Sequence, residues 1–205
     1  DFSHATISSS SPSTNTYGYP YISVTESSSN GKSNGLLSLD INNYLLPSGL
    51  AVVGSEITMT SASVSGVTPD IGVWDMNNHD WVAREVTWLE SSDNTPWASA
   101  GASGAADRAN LLDSEIVSTT GQYAWNITSA VQDSMRDSER LDLMFEILPG
   151  QSNIDVLFGS PISSANSVPT IEITFSPGSN QKPLPPSASN PANGEWVFAN
   201  NSSLE

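Results

Sequence analysis

The sequence Leu-Asp-Leu-Met-Phe-Glu-Ile-Leu at residues 141–148 decides the fold class of this chain. Its apolar side chains at positions 141, 143, 145 and 147 recur at every second residue, which places all of them on one face of an extended strand. The segment at residues 55–64 also alternates at period two. Two such segments predict a sheet with one face packed on a core.

Six further segments have the composition of short strands between turn residues. They lie at residues 19–25, 35–41, 71–76, 119–127, 154–158 and 170–175. One helix is predicted at residues 128–136, where Thr128 caps the first turn and Val131 and Met135 share a face. Eight strands at turn-punctuated intervals with a single short helix predict an all-β fold, an antiparallel jelly-roll β-sandwich.

The period-two positions of these strands identify the expected core. Two antiparallel sheets are expected to pack face to face over largely buried side chains. These side chains are Leu37, Leu39, Ile57, Val73, Leu143, Phe145, Phe158 and Ile171. Residues 77–110 are expected to be mostly loop, and Trp81 and Trp88 are expected to be buried and to brace that loop against the sandwich.

The composition changes after residue 176. Residues 1–176 are expected to form the β domain. Residues 177–190 contain a run of prolines and are typical of a semi-rigid Pro-rich linker. Residues 191–205 include a new apolar stretch that resembles the opening strand of an immunoglobulin-like or fibronectin-like domain. They are interpreted as the truncated start of such a domain or as a tail.

The charge balance and the residue inventory exclude several functions. The chain has 22 acidic and 6 basic residues, a net charge of -16, and its basic residues are scattered. Because nucleic acids and anionic lipids are bound by clustered cations, neither is an expected partner, and the acidity favours a soluble monomeric module. No apolar run reaches the ~20 residues that cross a bilayer. The absence of cysteine excludes thiol catalysis, disulfides and thiolate metal sites.

The tryptophan-rich loop resembles a known family. The sequence Trp-Val-Ala-Arg-Glu-Val-Thr-Trp at residues 81–88, followed by Trp97 and then by Trp-Asn-Ile-Thr at residues 125–128, is similar to the signature of the DNRLRE domain, also called the disaggregatase-related repeat. Ala83 stands where that family usually has glutamate. Some members are classed as carbohydrate-binding modules. The resemblance implies a jelly roll in a multidomain extracellular or cell-surface protein, with a polysaccharide or cell-surface glycan as its partner.

The sequence gives little support to catalysis. Of the two histidines, His4 lies near the start and His79 lies in a polar loop that is interpreted as surface. No Gly-x-Ser-x-Gly nucleophile elbow accompanies them, and pairs of carboxylates arise by chance in so acidic a chain. The sequence therefore favours a non-catalytic module that binds carbohydrate or mediates surface adhesion. A structural spacer domain is the alternative, and a polysaccharide-degrading enzyme is the least favoured interpretation.

Four aromatic residues are the candidates for contact with such a ligand, because exposed rings on a β surface offer large apolar faces. Trp97 lies in a loop rich in Ser, Gly and Ala and is expected to be exposed. Trp74 alternates with Val73 and is expected to face away from the core. Tyr19 and Tyr21 alternate at period two and are expected to line one face, although an edge strand with its hydroxyls in water fits the same pattern.

Structural calcium is the one cofactor that the sequence suggests. Asp75, Asn77, Asn78 and Asp80 place several hard oxygen ligands in one loop. Their spacing is not that of an EF-hand, so a solvated turn is the alternative. A second candidate set, in the loop at residues 93–107, includes Asp93 and Asp107.

Overall fold

A computed structural model describes residues 2–29, 31–41, 49–66, 68–137, 140–163 and 167–177. In this part of the chain 54% of the residues are in strands and 6% are helical, which confirms the all-β prediction with one short helix. No helix within these ranges is long and apolar enough to cross a membrane. The expected linker beyond Pro177 and the segment at residues 191–205 lie outside the described residues.

Twelve strands and one helix follow one another in the described ranges. They are β1 (Phe2–Ser8), β2 (Tyr21–Ser27), β3 (Gly31–Leu39), β4 (Leu50–Ser65), β5 (Asp70–Met76), β6 (Glu90–Ser92), β7 (Thr95–Pro96), β8 (Arg108–Ile116), β9 (Gly121–Asn126), α1 (Thr128–Asp137), β10 (Leu141–Ile147), β11 (Ile154–Gly159) and β12 (Thr170–Pro177). All eight predicted strands and the helix are present. The sequence analysis missed β1, β8 and the short pair β6 and β7.

Ten of the strands form one antiparallel sheet that is nearly closed into a barrel-like sandwich. Its order is β12-β4-β11-β2-β3-β10-β5-β8, with β1 paired to β3 and β9 paired to β4. The expected pair of separate sheets is therefore joined by hydrogen bonds, because β3 pairs with β2 at its start and with β10 further along. The fold class is nevertheless the predicted antiparallel β-sandwich.

The helix is anchored differently from the prediction. The Thr128 hydroxyl accepts a hydrogen bond from the backbone N–H of Ser55 at 2.8 Å, so it ties the helix to β4 and does not cap the first turn. The Asn126 side chain accepts the Thr128 N–H instead, at 3.0 Å. Val131 is buried as predicted, and Met135 packs partly buried against the same apolar cluster.

The inner core is the buried cluster around Trp125, Phe145 and Phe158, between the two halves of the folded sheet. The Trp125 ring meets the rings of Phe145 and Phe158 edge-on, with centroids 5.4 and 5.7 Å apart. Each of these side chains contributes about 1.5–3 kcal/mol by leaving water. Six of the expected core residues are buried as predicted, namely Leu37, Ile57, Val73, Leu143, Phe145 and Phe158.

Two of the expected core residues are only partly buried. Leu39 is the last residue of β3, and Ile171 lies on β12, which forms one end of the strand order. Both line an open apolar cleft of about 690 Å³ at which the ends of β1, β3 and β12 meet. Their period-two spacing identified the correct face of the strand, but each side chain lies where the sheet stops covering the core.

A second apolar layer, the outer cluster, lies on the opposite face of the same sheet. It comprises Ala5, Ile7, Leu36, Met76, Trp81, Val86, Trp97, Ala102 and Met144, with Trp74, Ala83 and Trp88 partly buried against it. The covering loop, residues 77–107, folds over β1, β3, β10 and β5 to form this layer. Alternate residues of β10 face the inner core, and the residues between them face the covering loop. Every residue of this strand is consequently buried.

Candidate functional site

Two of the loop tryptophans anchor the covering loop to the sheet. Trp81 is fully buried, as predicted, whereas Trp88 is only partly buried. The Trp88 ring lies directly against Gly101, which has a φ of +79° and has ring atoms 2.5 Å from where a Cβ would stand. Only glycine satisfies both constraints at this position. Trp81 is therefore buried as predicted, whereas Trp88, which was also expected to be buried, contacts the loop from a partly buried position.

The expected exposure of Trp97 is wrong. This side chain is 5% exposed, belongs to the outer cluster, and donates its indole N–H to the Thr87 carbonyl at 2.9 Å. The Ser-, Gly- and Ala-rich stretch around it is ordered by hydrogen bonds and folds the ring inward. A buried ring cannot stack on a sugar, so the reason for choosing Trp97 as a ligand contact is lost.

Asp107 orders that stretch of the covering loop. Its two carboxylate oxygens accept the backbone N–H groups of Ala98 and Ser99, each at 2.9 Å, and of Gly104 at 3.2 Å. The residue is 2% exposed, so these bonds form away from water. Asp107 was predicted as a calcium ligand, and the structure shows its oxygens bonded to the backbone of its own loop. Asp93, from the same candidate set, is exposed.

The first candidate calcium loop touches the second one. The backbone N–H groups of Asn77 and Asn78 donate to the Asp107 carbonyl at 3.0 and 3.2 Å, and the Asn77 amide nitrogen donates to the Ala105 carbonyl at 2.8 Å. The Asn78 side-chain oxygen accepts the Asp80 N–H at 3.0 Å. Within the described ranges, no three His, Asp or Glu side chains group as metal ligands. Calcium binding here stays a prediction.

A charged cluster ties the start of the covering loop to β10. His79 Nδ1 lies 2.9 Å from Asp142 Oδ2, and the Arg140 Nε lies 3.3 Å from the same oxygen. The Arg140 Nη2 also donates to the carbonyls of His79 and Trp81. His79 was interpreted as a surface residue, but it binds a fully buried carboxylate. Burial raises the pKa of the neighbouring Asp75 to about 6, an effect that the charge of His79 partly opposes.

Trp74, the second tryptophan candidate, is covered on one ring face. The Arg108 guanidinium lies 3.9 Å from the Trp74 ring centroid, and Arg108 also forms an ion pair with the buried Glu146, which Lys32 contacts too. Trp74 does face away from the inner core, since it packs against the outer cluster. Its ring is half-buried beneath a cation and offers little area to a ligand.

Tyr19 and Tyr21 are the candidate ligand residues that the structure leaves most accessible. They are 58% and 47% exposed, at the end of the loop between β1 and β2 and at the first residue of β2. The backbone beneath them is fixed, because the Tyr19 carbonyl accepts hydrogen bonds from His4 Nε2 at 2.9 Å and from the Ser160 hydroxyl at 3.0 Å. Burial lowers the pKa of His4. The exposed side chains of Tyr19 and Tyr21 are together called the tyrosine surface.

No protein-family model and no curated protein matches this chain. The resemblance to the DNRLRE domain therefore stays a prediction.

Proposed function

We propose that this chain is a non-catalytic module of an extracellular or cell-surface protein, and that it binds a polysaccharide or a cell-surface glycan on the tyrosine surface. The observation that carries this proposal is the exposure of Tyr19 and Tyr21 next to a Tyr19 carbonyl that accepts hydrogen bonds from the buried side chains of His4 and Ser160. A rigid scaffold that presents rings costs little conformational entropy when a ligand binds. Aromatic residues are also the ones that dominate binding energies at interfaces.

The positions of the histidines support a non-catalytic function. His4 is buried beneath the tyrosine surface, and His79 is bonded to Asp142 and holds the covering loop. A general base must reach the proton that it removes from a substrate. Both rings instead have structural partners in this fold.

Calcium belongs to the same proposal as a structural cofactor. The Asp75 carboxyl has a raised pKa, and the Asn77 side chain uses only its nitrogen in the bond to Ala105. Asp80 follows in the same loop and is exposed. These groups are hard oxygen donors of the kind that calcium binds, and an ion among them would stabilise the contact between the start and the end of the covering loop.

A glycan array followed by affinity electrophoresis tests the proposal. The parent protein should bind at least one glycan, and the double variant Tyr19→Ala/Tyr21→Ala should weaken binding about ten-fold or more, which is about 1.4 kcal/mol. Phe175→Ala is the matched control, because Phe175 is 40% exposed on β12 and lies outside the tyrosine surface. If the parent protein binds no glycan, the spacer interpretation replaces this one.

A further inference from the structure

A polar groove of about 220 Å³ lies near Tyr17, between β1, β3 and the covering loop. Its polar lining comes from Ser3, Tyr17, Ser38, Arg84 and Arg140, and Trp81 forms part of its wall. Sites for drug-sized ligands have volumes of about 300–1,000 Å³. The smaller groove is suited to a single ring with polar substituents.

Arg84 differs from every other basic residue in the described ranges. Lys32, Arg108, Arg136 and Arg140 each have a carboxylate within 4.0 Å. The Arg84 guanidinium lies instead over the Tyr17 ring, 4.8 Å from its centroid, with Nη2 3.4 Å from the phenol oxygen. In a chain with 22 acidic and 6 basic residues, a guanidinium that has no carboxylate partner and donates one bond to a phenol keeps its remaining donors for another acceptor.

The opposite lining of the groove supplies hydroxyl groups. Ser3 and Ser38 are directly paired across β1 and β3, and their side chains form no hydrogen bond to any other described residue. The buried indole N–H of Trp81 also has no partner in the part of the chain that the structure describes. Unused hydroxyl groups that line one small concavity next to an aromatic ring and a guanidinium are the features of a site for an oxygen-rich ligand.

We propose that this groove binds one terminal sugar residue of the glycan, through hydrogen bonds from Arg84 and from the paired hydroxyls of Ser3 and Ser38. This inference rests on the proposed function and adds a second subsite to it. The tyrosine surface is open and suits the face of a glycan chain, whereas the groove has room for a single ring and suits a chain end. Arg84 would act as the specificity-determining residue for that end.

The test measures binding of a glycan identified on the array by titration calorimetry, with competition by simple methyl glycosides, both neutral and acidic. Arg84→Ala should weaken binding about ten- to a hundred-fold, the effect of losing a hydrogen bond to a charged group. Arg136→Ala is the matched control, because it removes the same charge from an exposed helix position and should bind as the parent does. The double variant Ser3→Ala/Ser38→Ala should also weaken binding, and Arg84→Lys should recover part of it.

The outcomes separate the groove from the tyrosine surface. A methyl glycoside should compete with the glycan for the parent protein and lose that ability with Arg84→Ala. If Arg84→Ala and the serine variant bind as the parent does while Tyr19→Ala/Tyr21→Ala fails, the groove is wrong and the tyrosine surface stands. Loss of binding in Arg136→Ala to the same extent as in Arg84→Ala would show a general charge effect and would also contradict the groove.

Discussion

The inner core and the outer cluster cover opposite faces of one sheet, but they are held by different kinds of interaction. The inner core is formed by alternate side chains of regular strands, which meet ring to ring around Trp125. The outer cluster depends on a loop whose backbone is held by single polar side chains. The Asn15 amide donates to the carbonyls of Ala83 and Val86, and the buried Asn34 amide donates to the Gly101 carbonyl.

This difference indicates which part of the molecule unfolds only with the whole fold and which part opens locally. Strand pairing and apolar packing support each other in the inner core, so a local change there affects the whole fold. The covering loop is connected by a limited set of hydrogen bonds and ring contacts, and such regions open locally at lower free energy than the core. We expect the following changes to separate the two layers.

The largest effects should come from removing one ring from each layer. Trp125→Ala and Trp81→Ala should each cost about 3–5 kcal/mol, because both side chains are fully buried. Trp88→Ala should cost less, since this ring is only partly buried. Denaturant unfolding measures these costs, and a Trp88→Ala midpoint below that of Trp81→Ala would contradict the assignment of Trp81 as the main anchor.

Calcium should stabilise the outer layer by a smaller amount. At free calcium one hundred times the dissociation constant, binding adds about 2.7 kcal/mol by linkage. Melting curves in millimolar calcium and in chelator, at matched ionic strength, measure the effect without general screening. The variant Asp75→Asn/Asp80→Asn should abolish the shift. An identical midpoint in both buffers would contradict calcium binding by this loop.

Asp107→Asn should destabilise the covering loop without disturbing the inner core. The substitution keeps the shape of the side chain but replaces one of the two accepting oxygens with a donor that faces backbone N–H groups. Leaving such a buried donor unsatisfied costs about 1–3 kcal/mol. Limited proteolysis should detect faster cleavage within residues 98–107. Cleavage at the parent rate would show that the three bonds to Asp107 are dispensable.

The smallest effect should be the pH dependence contributed by Asp75. Its pKa is about 6 in the folded protein, against an ordinary value of 3.8, so the folded state binds its proton more tightly than the unfolded state. Its contribution to stability is therefore largest below pH 3.8 and is lost as the pH rises through 6. Asp75→Asn should be more stable than the parent at pH 7, and this gain should shrink as the pH falls from 6 toward 4. A gain that does not change with pH would contradict the raised pKa.

The regular layer could be predicted from the sequence far better than the loop layer. Alternation in two segments and strand-forming composition between turn residues in six others identified eight strands and most of the inner core, because both signals are local properties of a strand. Strand β8 was missed because its register against β5 shifts on both sides of Trp74, which breaks the alternation. Strand β1 was missed because four of its seven residues are polar, and it is held partly by hydrogen bonds such as that from its Thr6 N–H to Thr16.

The residues of the candidate site likewise fall into those that a local pattern identified and those whose positions depend on the fold. Tyr19 and Tyr21 were identified by their spacing and are exposed, whereas Trp97 was misplaced because its environment depends on the folded loop. The Asn15 bonds reach 68 and 71 residues along the chain, and no local pattern indicates such contacts. Arg84 was passed over for a related reason. Arg84 is distinguished by its lack of a carboxylate partner, and the ion pairs of the other basic residues are known only from the folded structure.

Hydrogen exchange measured by mass spectrometry on Trp81→Ala and Trp125→Ala tests the two-layer account most directly. In Trp81→Ala, we predict that exchange accelerates at least ten-fold more across residues 77–107 than in β9 and β11. In Trp125→Ala, we predict faster exchange in every strand that surrounds the inner core. Equal acceleration throughout the molecule in Trp81→Ala would contradict the account, because it would show that the covering loop and the sandwich unfold as one unit.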